Sequence, residues 1–368
     1  MSHKVVRELS ALGRATWVGC GLFFGAMAAA SCSDGTTVAS SEFPKDSTPP
    51  DSVTPPDSTN LPDSTVAPPD STPPVPPPPP DSTPVDTAAH SCGGITGGSS
   101  GTPVHEGIAF GPATLPPSKF TSPFGATIYT ATDPVCLALH LAAARRVNAR
   151  LFISFTGNET HMVDANGFSM TLWKQRVDRF RNVPMDSYVA DGTILGHMIM
   201  DEPSDPTNWG GKVVTQAQIE EMARYSKEIW PTMPTMIRTW PYYLKGGQYP
   251  HLDAVRFHYL DRWKPLDDFL AKNMQDARDL GLAIVGGLNV LNGGAKDSGI
   301  PGRASNKFGM NADEIREWGS RFLDEPDLCA FILWEWDDKY FARADIKAAI
   351  DELAAKAAAH PKHECRRP

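Results

Sequence analysis

The stretch of the chain richest in reactive groups is GHMIMDEPSDPTNW, residues 196–209. An apolar run at 198–200 ends in two adjacent carboxylates, Asp201 and Glu202, and a proline follows them. A short apolar run of this kind predicts a buried strand, and a buried strand does not tolerate charge without a partner. The two acids therefore indicate a strand end that carries chemistry. Because neighbouring strand residues point to opposite faces, we expect Asp201 and Glu202 to have different roles.

Other apolar segments predict the strands that would surround these acids. They are 107–111, 150–155, 195–200, 235–240, 254–260, 282–290 and 329–336, and residues 126–130 are a candidate eighth strand. Helix starts separate several of them, at Asp133-Pro134, at Thr215 with Gln218 and at Asn311 with Glu314. Strand–helix alternation over roughly 250 residues predicts one α/β domain, a (β/α)8 TIM-type barrel.

In such a barrel the chemistry lies at the carboxyl ends of the strands. Besides Asp201 and Glu202, the residues at these ends are acids, amides, aromatics and two basic side chains: Asn158, Arg238, Trp240, His258, Tyr259, Asn289, Trp334, Glu335, Trp336 and Asp337. Aromatic faces pack against sugar rings, and polar groups bind sugar hydroxyls. Glycoside hydrolysis needs, in addition, two carboxylates that flank the scissile bond. We expect Glu202 to be the proton donor and Glu335 or Asp337, on the last strand, to be its partner.

Two motifs resemble those of a known superfamily. MDEPSDPTNW is similar to the strand-four acid motif of clan A TIM-barrel glycoside hydrolases, and FILWEWDD is similar to a late strand of that superfamily. The resemblance implies an acid/base role for Glu202 and a nucleophile or base role for Glu335 or Asp337. It also implies that the other strand-end residues, Asp201 among them, bind substrate. Asp201 stands where the clan has asparagine.

A non-catalytic, glycan-binding barrel is the alternative interpretation, because the same aromatic residues would serve it. Metal-assisted hydrolysis by Asp201, Glu202, His258 and Asp337 is less favoured, since no pair has a recognisable metal-ligand spacing. We expect no cofactor and no metal. A net charge of −9 without a basic cluster argues against nucleic-acid binding. His197, in an apolar strand, is interpreted as a core histidine, and the protein is expected to be a monomer that acts on a carbohydrate.

The N-terminal part predicts export. Basic residues precede a short apolar stretch at 17–30, which is typical of a signal peptide and too short to span a bilayer. The ending AAASC resembles a bacterial lipoprotein signal, which implies that residues 1–31 are removed and that Cys32 carries the lipid anchor; secretion without lipid is the alternative. Residues 32–103, rich in proline and DST repeats, predict a disordered linker. The folded barrel is then 104–368, held at the cell envelope.

Four cysteines remain besides Cys20 in the signal segment and the proposed anchor Cys32. In an oxidising compartment a bond between Cys92 and Cys365 would link the two ends of the barrel domain. Cys136 and Cys329 lie in apolar sequence and are expected to be buried thiols.

Overall fold

The computed structural model describes Cys92 and residues 105–120, 124–261 and 265–367. The predicted signal segment, the proposed anchor Cys32 and the linker apart from Cys92 lie outside the described residues. Those assignments and the domain boundaries therefore stay predictions. In the described part of the chain, no helix is both long enough and apolar enough to cross a bilayer.

Eight parallel strands form the centre of the fold. They are β1 (Ala109–Pro112), β2 (Ala126–Thr130), β3 (Arg150–Ser154), β4 (Ile194–Asp201), β5 (Thr235–Arg238), β6 (Ala254–Arg256), β7 (Ala283–Gly286) and β8 (Leu328–Leu333). Neighbours pair in the order β1-β8-β7-β6-β5-β4-β3-β2, and every ladder is parallel. All eight predicted strands, including the candidate at 126–130, are confirmed.

The two ends of this strand order meet, so the sheet is an almost closed barrel. The Thr114 N–H donates to the Ile128 carbonyl at 3.1 Å, and the Thr127 hydroxyl donates to the Pro112 carbonyl at 2.7 Å. A Cβ at Gly111 would lie 1.9 Å from the Ala126 carbonyl oxygen, so only glycine allows β1 to approach β2 this closely. The predicted (β/α)8 barrel is confirmed.

Eight α-helices of the described residues cover the barrel. They are α1 (Pro134–Arg146), α2 (Met170–Asp178), α3 (Asp186–Ala190), α4 (Gln216–Ile229), α5 (Leu266–Asp279), α6 (Ala312–Leu323), α7 (Asp338–Phe341) and α8 (Ala344–Ala359). The three starts predicted from the sequence, those of α1, α4 and α6, are confirmed. Asp133 caps α1, and Thr215–Gln218 and Asn311–Glu314 form reciprocal capping boxes at α4 and α6. Each cap satisfies backbone N–H groups that a helix start leaves without partners.

The barrel interior and the outer layer are packed differently. Small side chains on five strands make room in the interior for Phe152, Met198, Met236 and Ile332; they are Ala109, Ala126, Ala254, Ala283 and Ala330. Aromatic residues dominate the layer between sheet and helices. There His197 is fully buried beside Phe155, Trp173 and Trp230, with ring centroids 4.6, 5.9 and 6.0 Å away. The interpretation of His197 as a core residue is confirmed.

The predicted disulfide is wrong. Cys92 is bonded to Cys136, and Cys365 is bonded to Cys329, so neither Cys136 nor Cys329 is a free thiol. The pairs lie with Cα atoms 5.2 and 5.1 Å apart, within the usual range for a disulfide. The sequence shows only that Cys136 and Cys329 lie in apolar segments. It does not show that the chain after α8 returns beneath the barrel to reach β8.

That returning segment closes the end of the barrel opposite the strand ends that carry the acids. Cys365 packs with Cys329, Ala330 and the other interior residues. Arg366 donates to the Thr232 carbonyl, and Arg367 donates to the Leu280 carbonyl at 3.2 Å. The amino-terminal end of the lumen is therefore covered by residues 361–367.

Burial of His197 predicts a pH dependence of stability. Burial lowers the pKa of His197 to about 3 from its ordinary value of 6.5. Between pH 6.5 and pH 3 the unfolded chain binds a proton at this histidine that the folded chain does not bind. The contribution of the neutral, buried His197 to the free energy of unfolding is therefore full above pH 6.5 and is lost as the pH falls toward 3. We expect His197→Gln to flatten the fall in unfolding free energy between pH 6 and 4 by up to about 1.4 kcal/mol per pH unit.

Urea denaturation at several pH values measures this slope. His161→Gln, at an exposed position, is the matched control and should leave the slope unchanged. Parallel slopes for the wild type and His197→Gln would contradict the prediction.

Candidate functional site

The two adjacent acids share one guanidinium at the carboxyl end of β4 and β5. Arg238, the last residue of β5, donates from Nη1 to Asp201 Oδ1 at 2.5 Å and from Nη2 to Glu202 Oε1 at 2.8 Å. Nη2 also lies 3.3 Å from His258 Nε2. The Arg238 side chain is 12% exposed, against 31% for Asp201 and 45% for Glu202. One buried cation thus fixes two carboxylates and contacts an imidazole.

A shift in strand register places both acids on the same cation. The pairing of β4 with β5 shifts between Met198 and Met200, so that Asp201 lies opposite Arg238. Met198 and Met236 face the barrel interior, and strict alternation from Met198 would turn Asp201 toward the helices. The extra residue at the shift brings Asp201 to the side of Arg238 instead. The expectation that the two acids point to opposite faces is wrong for this reason.

The backbone of Glu202 is left-handed, with φ of +44°. This conformation costs an ordinary residue about 1–2 kcal/mol. Three hydrogen bonds maintain it: the Glu202 N–H donates to the Arg238 carbonyl at 2.9 Å, and the Glu202 carbonyl accepts from Trp209 Nε1 at 2.9 Å and from the Asp205 N–H at 3.1 Å. Strain maintained by surrounding contacts is a feature of functional sites.

Glu202 lies in a cleft lined by aromatic and basic side chains. The cleft has a volume of about 350 Å³, and its walls include Arg238, Trp240, Tyr242 and His258. Trp240 packs edge-on against Phe269, and Tyr242 is 46% exposed. We call this space the side cleft. It places a carboxylate beside two aromatic rings, one held by packing and one open to solvent.

A second space of about 130 Å³ lies over the barrel axis, and we call it the central cavity. Its walls include Asp201, Trp334 and Glu335, together with Thr156 and Arg256. The carboxylates of β4 and β8 therefore face one cavity, and the side cleft adjoins it because Arg256 lines both spaces.

Arg256 is a functional residue that the sequence reasoning missed. It is 1% exposed, and its Nη2 donates to the Ile332 carbonyl on β8 at 3.3 Å, so the side chain spans the lumen under both spaces. Burial, and then repulsion from Arg238, lower its pKa to about 9, although Asp201 and Glu202 act to raise it. The sequence does carry a sign of this role, because Arg256 stands inside the otherwise apolar segment AVRF, residues 254–257. A cation in a buried strand needs anions nearby.

Glu335 is held by the loop that follows β7. Arg303 forms an ion pair with it, and the Glu335 side chain is 19% exposed. The Arg303 N–H donates to the Leu291 carbonyl at 3.1 Å, which anchors this part of the loop. Residues 293–302 thus lead directly to a contact at the site.

Other residues proposed from the sequence lie outside these spaces or have structural partners. Asp337 caps α7 by accepting from the Tyr340 N–H at 2.8 Å, and Asn158 caps a short 3-10 helix by accepting from Thr160. Asn289 Oδ1 accepts from the Asn292 N–H at 3.0 Å. Tyr259, 3% exposed, packs against Phe269 and Trp318, and Trp336 stacks on Phe341.

The acids at the centre of the site are matched by arginines. Burial acts to lower the pKa of Arg238, but Asp201 and Glu202 raise it above its ordinary value. Arg238 and Arg256 together oppose Asp201 and Glu202, and Arg303 opposes Glu335. Among the described residues, no cluster of three or more acid, histidine or cysteine ligands could hold a metal ion. The arrangement suits proton transfer by carboxyl groups around a neutral, polyhydroxylated ligand.

No protein-family model and no curated protein matches the chain. Solved structures with a similar fold include a GH18 chitinase from Pseudoalteromonas aurantia, with 11% identity over 67% of this chain and 99% of that chain and a TM-score of 0.42. A β-D-glucuronidase from Dictyoglomus thermophilum has 10% identity, 72% and 52% coverage and a TM-score of 0.45. Xylanase10C from Cellvibrio japonicus has 12% identity, 72% and 69% coverage and a TM-score of 0.41.

These neighbours are glycoside hydrolases by name. Likeness at this identity and TM-score carries no argument about activity, and the barrel assignment rests on the eight strands themselves.

Removing the shared guanidinium should destabilise the protein. Arg238→Met leaves Asp201 and Glu202 side by side without their common counter-charge. Truncating one partner of a buried pair costs about 3–5 kcal/mol, and the partial exposure of both acids reduces this to about 2–3 kcal/mol. Urea denaturation measures the change.

The matched control is the triple variant Arg238→Met, Asp201→Asn, Glu202→Gln, which removes the acids as well and should recover most of the loss. Equal stability of Arg238→Met and the wild type would show that the ion pairs of Arg238 with Asp201 and Glu202 contribute nothing to the free energy of unfolding.

Proposed function

We propose that this protein is a glycoside hydrolase that cleaves glycosidic bonds of a poly- or oligosaccharide outside the cytoplasm. Glu202 is its proton donor and Glu335 its second carboxylate. The observation that carries the proposal is the placement of Glu202, in a left-handed backbone at the end of β4, with its carboxylate in an aromatic cleft. A site for sugar hydrolysis needs both a surface for the ring and an acid at its edge.

Sugar binding would change the surroundings of Glu202. In the free protein its carboxylate is 45% exposed and accepts from Arg238 at 2.8 Å. A sugar ring packed against Trp240 and Tyr242 would exclude water from this carboxylate, as the acid of a glycosidase requires. Asp201 has the shorter contact to Arg238, at 2.5 Å, and lies outside the aromatic cleft.

Glu335 is the better partner among the acids of the last strand. It lines the central cavity with Asp201, and its ion pair with Arg303 holds the carboxylate in place there. Asp337 Oδ1 accepts a hydrogen bond from the Tyr340 N–H at the start of α7. The carboxylate of Asp337 therefore has a structural role as a helix cap. Trp334 lines the same cavity and offers a ring face beside Glu335.

One observation favours a second function, that of a non-catalytic glycan-binding barrel. Residues 282–290 carry Asn289 and no acid, and Glu202 is ion-paired with Arg238. A protein that only binds sugar would need the aromatic rings and the hydrogen-bonding groups but no free proton donor. The two functions differ in whether new sugar ends are produced.

A reducing-end assay tests the proposal directly. We expect wild-type protein to release new ends from one member of a panel of plant, algal, fungal and bacterial polysaccharides. Glu202→Gln should lower the rate by about 10²–10⁴-fold, because the amide keeps the shape and loses the proton. Glu335→Gln should lower it similarly, whereas Glu228→Gln, on the exposed face of α4, is the matched control.

Release by Glu202→Gln at the wild-type rate would overturn the assignment of Glu202. Binding to a polysaccharide without release by any protein would favour the glycan-binding barrel.

Anchoring at the cell envelope belongs to the same proposal. A polysaccharide too large to enter the cell must be cleaved at the cell surface. A lipid on Cys32 and an extended proline-rich segment after it would hold the barrel away from the membrane. We expect cells that express the full chain to incorporate labelled palmitate into the protein and to retain it in the membrane fraction. Cys32→Ser should abolish both, and unchanged labelling of this variant would overturn the anchor assignment.

A further inference from the structure

A partly open pocket lies at the amino-terminal end of the barrel, opposite the proposed active site. Its volume is about 220 Å³, and its walls come from the starts of β3 and β4, from the loop before β4 and from the segment after α8. The charged and polar side chains in these walls are His105, Arg150, Asp191, Lys362, His363, Glu364 and Arg366. The space is too small for a sugar chain and large enough for a small ion with part of the group that bears it.

Arg150 is the central group of this lower cavity. It is the first residue of β3 and lies on the same side of the strand as Phe152, which faces the lumen. It is 8% exposed, and its Nε has no hydrogen-bond partner. Burial lowers its pKa to about 10, and no acid acts to raise it. A buried guanidinium without a carboxylate is costly, so an anion bound in the cavity would stabilise it.

The acids of the cavity are already paired with other cations. Asp191 forms an ion pair with Arg145 at 2.6 Å, and Glu364 lies 3.4 Å from Arg366. Among the described residues, Arg150 and Lys362 have no ion-pair partner within 4.0 Å. Two positive charges in the walls of the cavity are therefore left without a counter-ion.

His105 completes the polar wall. Its ring packs over Gly192, where a Cβ would lie 3.2 Å from Cδ2, and its Nε2 has no hydrogen-bond partner. Burial, Arg150 and Lys362 together lower the pKa of His105 to about 4, so the ring is neutral at pH 7. A neutral imidazole has one N–H, and the ring has a hydrogen bond to the backbone of Asp191, so it adds a polar wall without adding a third charge.

We propose that Arg150, Lys362 and His105 form an oxyanion-binding site for a phosphate group at the amino-terminal end of the barrel. The guanidinium binds two oxygens of the anion, the ammonium of Lys362 binds a third oxygen from the segment after α8, and the neutral imidazole forms the polar wall beside them. Arginine and lysine are the residues that proteins use for this group. The site is independent of the proposed hydrolase activity, because the two lie at opposite ends of the lumen.

Phosphate can reach this site as the free ion or as an ester end-group of a lipid headgroup or sugar. Isothermal titration of the full chain with inorganic phosphate and with sn-glycerol 3-phosphate separates the two sources. A titration with sodium chloride at equal ionic strength measures the background heat. Tighter binding of sn-glycerol 3-phosphate would indicate that the site binds a phosphate ester end-group. Tighter binding of inorganic phosphate would indicate that it binds the free ion. Either result supports the proposed site.

Two variants localise the binding. Arg150→Met keeps the aliphatic part of the side chain and removes the guanidinium group. We therefore expect phosphate binding to weaken by about ten- to hundredfold. Arg146→Met, four residues earlier at an exposed position of α1, removes the same charge and should leave binding unchanged. If Arg150→Met does not fold, Lys362→Met, at an exposed position, should fold and weaken binding by several-fold.

No heat of binding above the chloride background for the wild type would overturn the proposal. Equal weakening by Arg146→Met and Arg150→Met would also overturn it, because general charge rather than the lower cavity would then account for the effect.

Discussion

The contact of Arg238 with Asp201 and Glu202 is the interaction on which the site depends. Two neighbouring carboxylates repel each other, and the barrel can hold them at one strand end only because a guanidinium ends the next strand at the same height. That height is set by the register shift between β4 and β5. Strand pairing, charge balance and the direction of Glu202 are therefore parts of one constraint.

Much of the fold could be predicted from the sequence because its signals are local. Each strand is a short apolar run, and caps such as Asp133, Thr215 and Asn311 mark helix starts within three residues. Placing acids and aromatics at one rim needed only the rule that parallel strands end on the same side of a barrel. The burial of His197 followed from its position inside an apolar strand.

The features that could not be predicted depend on contacts between distant parts of the chain. Asp201 reaches Arg238 through a register shift that leaves no mark in the sequence of either strand. Cys365 pairs with Cys329 because the segment after α8 passes beneath the barrel, and Asp337 is committed to a cap by a helix of only four residues. Arg256 and Arg150 have similar apolar surroundings in sequence but lie at opposite ends of the lumen.

The left-handed backbone at Glu202 has a consequence for the evolution of the protein. Glycine adopts this conformation without strain, so a glycine at this position would give a more stable fold that lacks the carboxylate. Selection for heat resistance and selection for the acid thus act in opposite directions on a single codon. A population of sequences kept only for their ability to fold would lose glutamate at this position early, whereas its persistence would record that the side chain is in use.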